Sequence, residues 1–277
     1  MVVIMKISCC IPGGSFMPQG EKEIPMAPLT RLTEGCRAIA ALGYDCAEAT
    51  VGMITSLSDE DVAFLQNEHA AGRFDLAACN SFIPGHLPIV TDDNGTEALY
   101  AFVDGAIARM ASLGVRYVVF GSGRVRTIPE GCDRAKAEKQ IEAFISHCND
   151  VCGKHGMILV IEPLNRAETN WCNKVSEGAE IVRRLNLDNV RLLADGYHMA
   201  REEEPLSVIA ENRDILLHCH VASSDRRIPG KTEYEGAFLD ALKAIGYDGI
   251  VTVECGFGDF QKEAAEAAEY LRKKLAE

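Results

Sequence analysis

Short apolar runs, mostly rich in β-branched residues, recur along this chain with amphipathic stretches between them. The runs lie at Ile4–Cys10, Asp45–Ala49, Phe74–Asn80, Tyr117–Gly121, Ile158–Glu162, Val190–Asp195, Ile215–His220 and Ile250–Glu254. Near-continuous apolar runs of this length predict strands buried on both faces, as in a parallel sheet. Between them, apolar residues recur at helical spacing over Leu29–Leu42, Asp59–Ala71, Thr96–Leu113, Asp133–His155, Val175–Leu187, Pro205–Asn212, Tyr234–Ile245 and Phe260–Leu275. Gly43, Gly114, Gly156 and Gly246 each close a helical stretch and precede a strand. That is where a left-handed residue caps a helix.

Eight βα units in 277 residues predict an α/β fold, a single (β/α)8 TIM barrel domain over residues 1–277. A doubly wound open sheet would carry a Gly-rich phosphate turn after its first strand. Pro12-Gly13-Gly14 lacks that spacing and no helix follows it directly. No Pro/Ser/Gly-rich linker divides the chain. Long loops follow the first strand (Ile11–Pro28), the third (Ser81–Gly95), the fourth (Ser122–Gly131) and the seventh (Val221–Glu233). All four leave the C-terminal face of the barrel, where sites of such barrels form.

Candidate chemistry lies at the ends of the last four runs. These stop on Glu162, Asp195, His220 and Glu254, and in a barrel the C-terminal ends of strands 5 to 8 converge on one axis. Three carboxylates cannot stay ionised side by side without a cation between them. The hard oxygen donors and single imidazole suit Mn²⁺ foremost, then Mg²⁺ or Co²⁺, with Zn²⁺ admitted. His218 and His220 alternate along their run, so one is expected to face the barrel and the other the helices. His220, last in the run, is the candidate ligand.

Charge and cysteine usage narrow the setting. The net charge of −13 argues against nucleic acid, whose binding is driven by Lys and Arg, and against anionic membrane surfaces. The 11 cysteines include Cys9, Cys10, Cys79 and Cys219 inside apolar runs, which suits free thiols in a reducing cytoplasm rather than a disulfide framework. The N-terminal stretch Met1–Ile7 has no long apolar core or cleavage site of a signal peptide. No run approaches the ~18 apolar residues that span a bilayer. A soluble cytoplasmic protein is expected.

The motifs IEPLNRAETN (Ile161–Asn170), DGYHM (Asp195–Met199), HCHVASSDRRIPG (His218–Gly230) and GYDGIVTVE (Gly246–Glu254) resemble the xylose-isomerase-like barrel superfamily. Within it, they are most similar to sugar epimerases of the tagatose/psicose 3-epimerase type. The resemblance implies that Glu162, Asp195, His220 and Glu254 are the ligands of one divalent metal ion. It also implies that Glu168, His198 and Arg226 contact a small sugar or polyol substrate, and that the protein is a homo-oligomer, dimer or tetramer.

The chemistry then implied is proton transfer. A cation on a carbonyl and its neighbouring hydroxyl acidifies the C–H between them. Glu162 and Glu254 remove and return the proton through a cis-enediolate. Return to the opposite face of the same carbon epimerises, and return to the neighbouring carbon isomerises an aldose to a ketose. Loss of a β-hydroxyl would instead dehydrate an inosose-like polyol. A non-catalytic metal- or sugar-binding barrel needs no opposed pair of glutamates. The apurinic-site endonucleases of the superfamily would need more histidines at strand ends than the seven in this chain supply. The first half departs from the epimerase pattern at SFIPGHLP (Ser81–Pro88) and GSGRVRTIPEG (Gly121–Gly131). There Arg124 and Arg126 at the barrel mouth would neutralise a substrate phosphate or carboxylate, or else pair with Glu130 and other surface acids. His86 is a candidate extra polar contact.

Overall fold

Eight parallel strands close on themselves. The computed structural model describes residues 5–12, 26–91 and 96–277. Its strands are β1 (Lys6–Cys10), β2 (Cys46–Thr50), β3 (Leu76–Asn80), β4 (Tyr117–Phe120), β5 (Ile158–Ile161), β6 (Val190–Asp195), β7 (Leu216–Val221) and β8 (Ile250–Val253). They pair in chain order, and β8 returns to β1 through Lys6↔Ile250 to Cys9↔Val253. Closure is the (β/α)8 barrel expected from the pattern, and it rules out an open doubly wound sheet.

The helices are α1 (Pro28–Ala41), α2 (Val51–Thr55), α3 (Asp59–Ala70), α4 (Glu97–Ser112), α5 (Gly123–Arg126), α6 (Arg134–His155), α7 (Val175–Leu185), α8 (Gly196–Arg201), α9 (Ser207–Glu211), α10 (Glu233–Ala244) and α11 (Phe260–Ala276). Their starts follow local chemistry. Capping boxes, Ser58 with Asp61 and Thr232 with Glu235, open α3 and α10, and Asp133 accepts from Ala135 N and Lys136 N to open α6. Such caps satisfy amides that have no partner within the helix. Gly43, Gly114, Gly156 and Gly246 all have positive φ, as the pattern predicts. On α1, Leu32, Cys36 and Ile39 form the buried stripe. Ile39→Ala would cost about 2–5 kcal/mol.

Strand alternation sorts two cores. Leu159 and Ile161, Cys219 and Val221, and Val251 and Val253 belong to the large core between strands and helices. Positions of opposite parity form two small clusters apart from it, Cys46 with Ala77 and Ile250, and Val119 with Val160 and Leu193. These clusters fill the barrel interior below the strands' C-terminal ends. The loop after β1 falls largely in residues 13–25, outside the described residues, as do Pro12-Gly13-Gly14 beyond Pro12 and residues 92–95 of the loop after β3. Among the described residues, no helix is long and apolar enough to cross a membrane.

Candidate functional site

The parity that puts Val160 inside the barrel also turns Glu162 inward, two residues further on. Ile250, Thr252 and Glu254 follow the same rule on the β8 side. Asp195 ends β6 opposite His220 on β7, and His220 pairs with Thr252. Four ligand atoms, one from each of Glu162, Asp195, His220 and Glu254, therefore lie within 4.8 Å of one another. Glu162, Asp195 and His220 are buried, and Glu254 is half-buried. His220 Nδ1 is 3.1 Å from Glu162 Oε1 and 3.6 Å from Glu254 Oε2.

The electrostatics of this cluster call for positive charge. Burial, and then the Glu162 carboxylate beside it, push Asp195 up to about 7. Burial likewise raises Glu162. Burial would also raise Glu254, but the His220 ring and the Arg226 guanidinium hold it down at about 2. His220 departs the other way: burial disfavours its charged form, yet Glu48 and Glu254 keep it well above the ordinary histidine range. Carboxylates this close stabilise whatever positive charge sits among them. Three carboxylate oxygens and one imidazole nitrogen fit a divalent cation on donor chemistry.

A cavity of about 370 Å³ opens above the cluster, lined by Asn80, Ser122, Arg124, Glu162, Glu168, Arg226 and Glu254 among others. A larger hollow of about 730 Å³ lies between α1 and α3 around Arg37, Phe64 and Arg73 and includes none of the cluster. The chemistry, not the size, makes the smaller cavity the candidate site. Arg226 donates to Glu254 Oε2 and Glu168 Oε1, each at 2.9 Å, and lies 4.8 Å over the Tyr197 ring. His198 Nδ1 lies 3.1 Å from the Asn165 amide nitrogen and 2.8 Å from Asn165 Nδ2. With two donors at Nδ1, the hydrogen belongs on Nε2. That Nε2 is buried without a hydrogen-bond partner among the described residues, 3.5 Å from Asp195 Oδ2. Burial, then Arg226, bring His198 down to about 3. It is a neutral donor left for another oxygen.

Space at the cluster depends on glycine. A Cβ on Gly121 would fall 2.0 Å from Glu162 Oε2, and one on Gly123 would fall 2.9 Å from Leu164 Cδ1 and 3.0 Å from the Glu168 carbonyl. Asn80, at the end of β3, donates to Glu254 Oε1 at 3.1 Å.

Several expectations need correction. His218 and His220 do not face opposite sides: residues two apart on a strand share a face, and both rings bond the buried Glu48. Arg126 is not at the mouth. It is fully buried over Phe120 and Trp171 and donates to the Phe120 and Glu162 carbonyls at 2.7 and 2.6 Å. Arg124 does reach the cavity, whereas His86 is exposed and does not line it. Glu48, Asn80 and Asn165 were not singled out from the sequence. Of the three, Glu48 left the clearest mark on the sequence, a lone carboxylate within the run CAEAT.

A family model for the xylose isomerase-like TIM barrel matches residues 36–274. The D-psicose 3-epimerase of Ruminiclostridium cellulolyticum is 32% identical over 230 residues, spanning 78% of this chain and 75% of that protein. The D-psicose 3-epimerase of Agrobacterium fabrum is 27% identical over 230 residues, with 78% and 76% covered. A solved structure of D-psicose 3-epimerase with D-tagatose from Clostridium cellulolyticum H10 gives a TM-score of 0.82 at 20% identity, over 98% of this chain and 99% of that one. This last is a likeness of fold. With the family model spanning most of the barrel, the chain belongs to the xylose isomerase-like TIM barrel family.

Proposed function

We propose that the protein is an isomerase-class enzyme, a divalent-metal-dependent epimerase of a small sugar, with Glu162 and Glu254 as its acid–base pair. The observation that carries this reading is the convergence of two glutamates, from β5 and β8, with Asp195 and His220, at a point where Glu162 and Glu254 line one cavity. The D-psicose 3-epimerase relatives make free ketohexoses the first substrates and carbon 3 the first position to test.

Glu162, Asp195, His220 and Glu254 would hold the ion, Mn²⁺ in the first instance, which supplies Lewis acidity at a carbonyl and its neighbouring hydroxyl. One of the two glutamates takes the proton from the hydroxyl-bearing carbon next to the carbonyl, and the C–H electron pair moves into the cis-enediolate of the sugar. The other glutamate delivers a proton to the opposite face of the same carbon. The enzyme is left with the two carboxyls exchanged in protonation, ready for the reverse direction. Arg226 braces Glu254 and Glu168 together at the cavity wall. His198, with Nδ1 occupied by Asn165, offers Nε2–H to a substrate oxygen.

The test is solvent exchange. Metal-loaded protein is incubated with ketohexoses in D₂O, and the recovered sugars are read by NMR. Deuterium at one carbon, together with the epimer at that carbon, supports the reading. A dehydrated product or the absence of exchange with stoichiometric metal bound would overturn it.

A further inference from the structure

We infer that Glu48 is a positioning residue for His220, turning its imidazole so that Nδ1 faces the metal centre. The inference rests on the metal-centre reading above. Glu48 lies in the middle of β2 and is fully buried. Cys46, two residues earlier on the same face, packs in a small apolar cluster with Ala77 and Ile250. A carboxylate at that depth has to be compensated by hydrogen bonds or charge.

Its partners are two imidazoles. His218 Nε2 lies 2.9 Å from Glu48 Oε2, and His220 Nε2 lies 3.1 Å from Oε1 and 3.3 Å from Oε2. Among the described residues, no Lys or Arg forms an ion pair with it. An ionised carboxylate only accepts, so each Nε2 bears the hydrogen of its bond. In the neutral form that a metal ligand must take, a hydrogen on Nε2 leaves the lone pair of His220 at Nδ1, the nitrogen that faces Glu162 and Glu254. His218 Nδ1, buried without a hydrogen-bond partner among the described residues, agrees with the same assignment of hydrogens. The two rings sit edge to face with centroids 5.0 Å apart, so His218 buttresses the ring that Glu48 orients. A ligating histidine held through its other nitrogen by a carboxylate is a recurrent means of fixing ring and tautomer.

The test measures metal binding and ring state rather than turnover. Mn²⁺ affinity is measured by calorimetry on the native protein, E48Q and E48D, alongside circular dichroism and thermal melting. Native protein should bind one Mn²⁺ per chain. E48Q should melt normally but bind about 10- to 100-fold more weakly, with E48D recovering part of the loss. Long-range ¹H–¹⁵N spectra of the native protein with Zn²⁺ as a diamagnetic probe should show His220 protonated at Nε2 and metal-shifted at Nδ1.

A folded E48Q with native Mn²⁺ affinity, or a metal-shifted Nε2 on His220, would overturn the inference while leaving the metal centre intact. A second Mn²⁺ per chain, lost in E48Q, would make Glu48, His218 and His220 ligands themselves and overturn it too. If E48Q fails to fold, the ring-nitrogen assignment on the native protein decides in the same two directions. A native protein that binds no Mn²⁺ removes the metal centre, and this inference with it.

Discussion

The two halves of the barrel contribute differently to the same cavity. β5 to β8 deliver the four candidate ligands, each within one residue of the end of its strand. β1 to β4 deliver none of these, yet they decide where the four can sit. Glu48 on β2 contacts His220, Asn80 on β3 donates to Glu254, and Gly121 after β4 leaves room for Glu162. The four candidate ligands come from one half of the barrel, and Glu48, Asn80 and Gly121, which contact or border them, come from the other. Closing the barrel is what brings them together, since Asn80 and Glu254 are 174 residues apart.

If this division is right, substitutions in the two halves should differ in kind as well as size. The largest effect belongs to the half that carries the ligands. Glu254→Gln should keep the fold and lose proton exchange and epimerisation by about 10³-fold or more, measured by deuterium incorporation. Full activity in that variant would end the two-glutamate mechanism. Next is Gly121→Ala, whose Cβ would meet Glu162 Oε2 at 2.0 Å. Displacing that carboxylate should lower kcat/KM by roughly 10²-fold and weaken Mn²⁺ binding, while a native-like metal titration would place Glu162 outside the centre.

Arg226→Ala removes two charge-assisted bonds that are partly open to solvent. A loss of about 1.5–2 kcal/mol, roughly 10- to 30-fold in kcat/KM, is expected with one Mn²⁺ per chain still bound. Asn80→Ala should cost least, about 1 kcal/mol or roughly 5-fold in kcat/KM. If Asn80→Ala proved as damaging as Glu254→Gln, the opposite half would be taking part in the chemistry.

The same division explains what could be read from the sequence. Long β-branched runs and helix-closing glycines mark elements wherever they fall, so the eight strands and the longer helices were legible within a few residues. Helices α2, α5, α8 and α9 span only four to six residues, too few to show a full period, and of these four α9 alone was expected, within Pro205–Asn212. Residues ending a strand stand out against an apolar run, which made Glu162, Asp195, His220 and Glu254 visible. Glu48 lies inside its strand and acquires meaning only when β2 meets β7 across the interior. Arg124 and Arg126 read alike in sequence, but α5 turns residues two apart to different sides. One reaches the cavity while the other is buried over Phe120 and Trp171.

The most direct test of the central claim is NMR of ketohexoses recovered from D₂O after incubation with protein carrying one Mn²⁺ per chain. The account predicts deuterium at a single carbon, accompanied by the epimer at that carbon and abolished in Glu254→Gln. Stoichiometric Mn²⁺ with no deuterium at any carbon, or exchange that persists undiminished in Glu254→Gln, would contradict it.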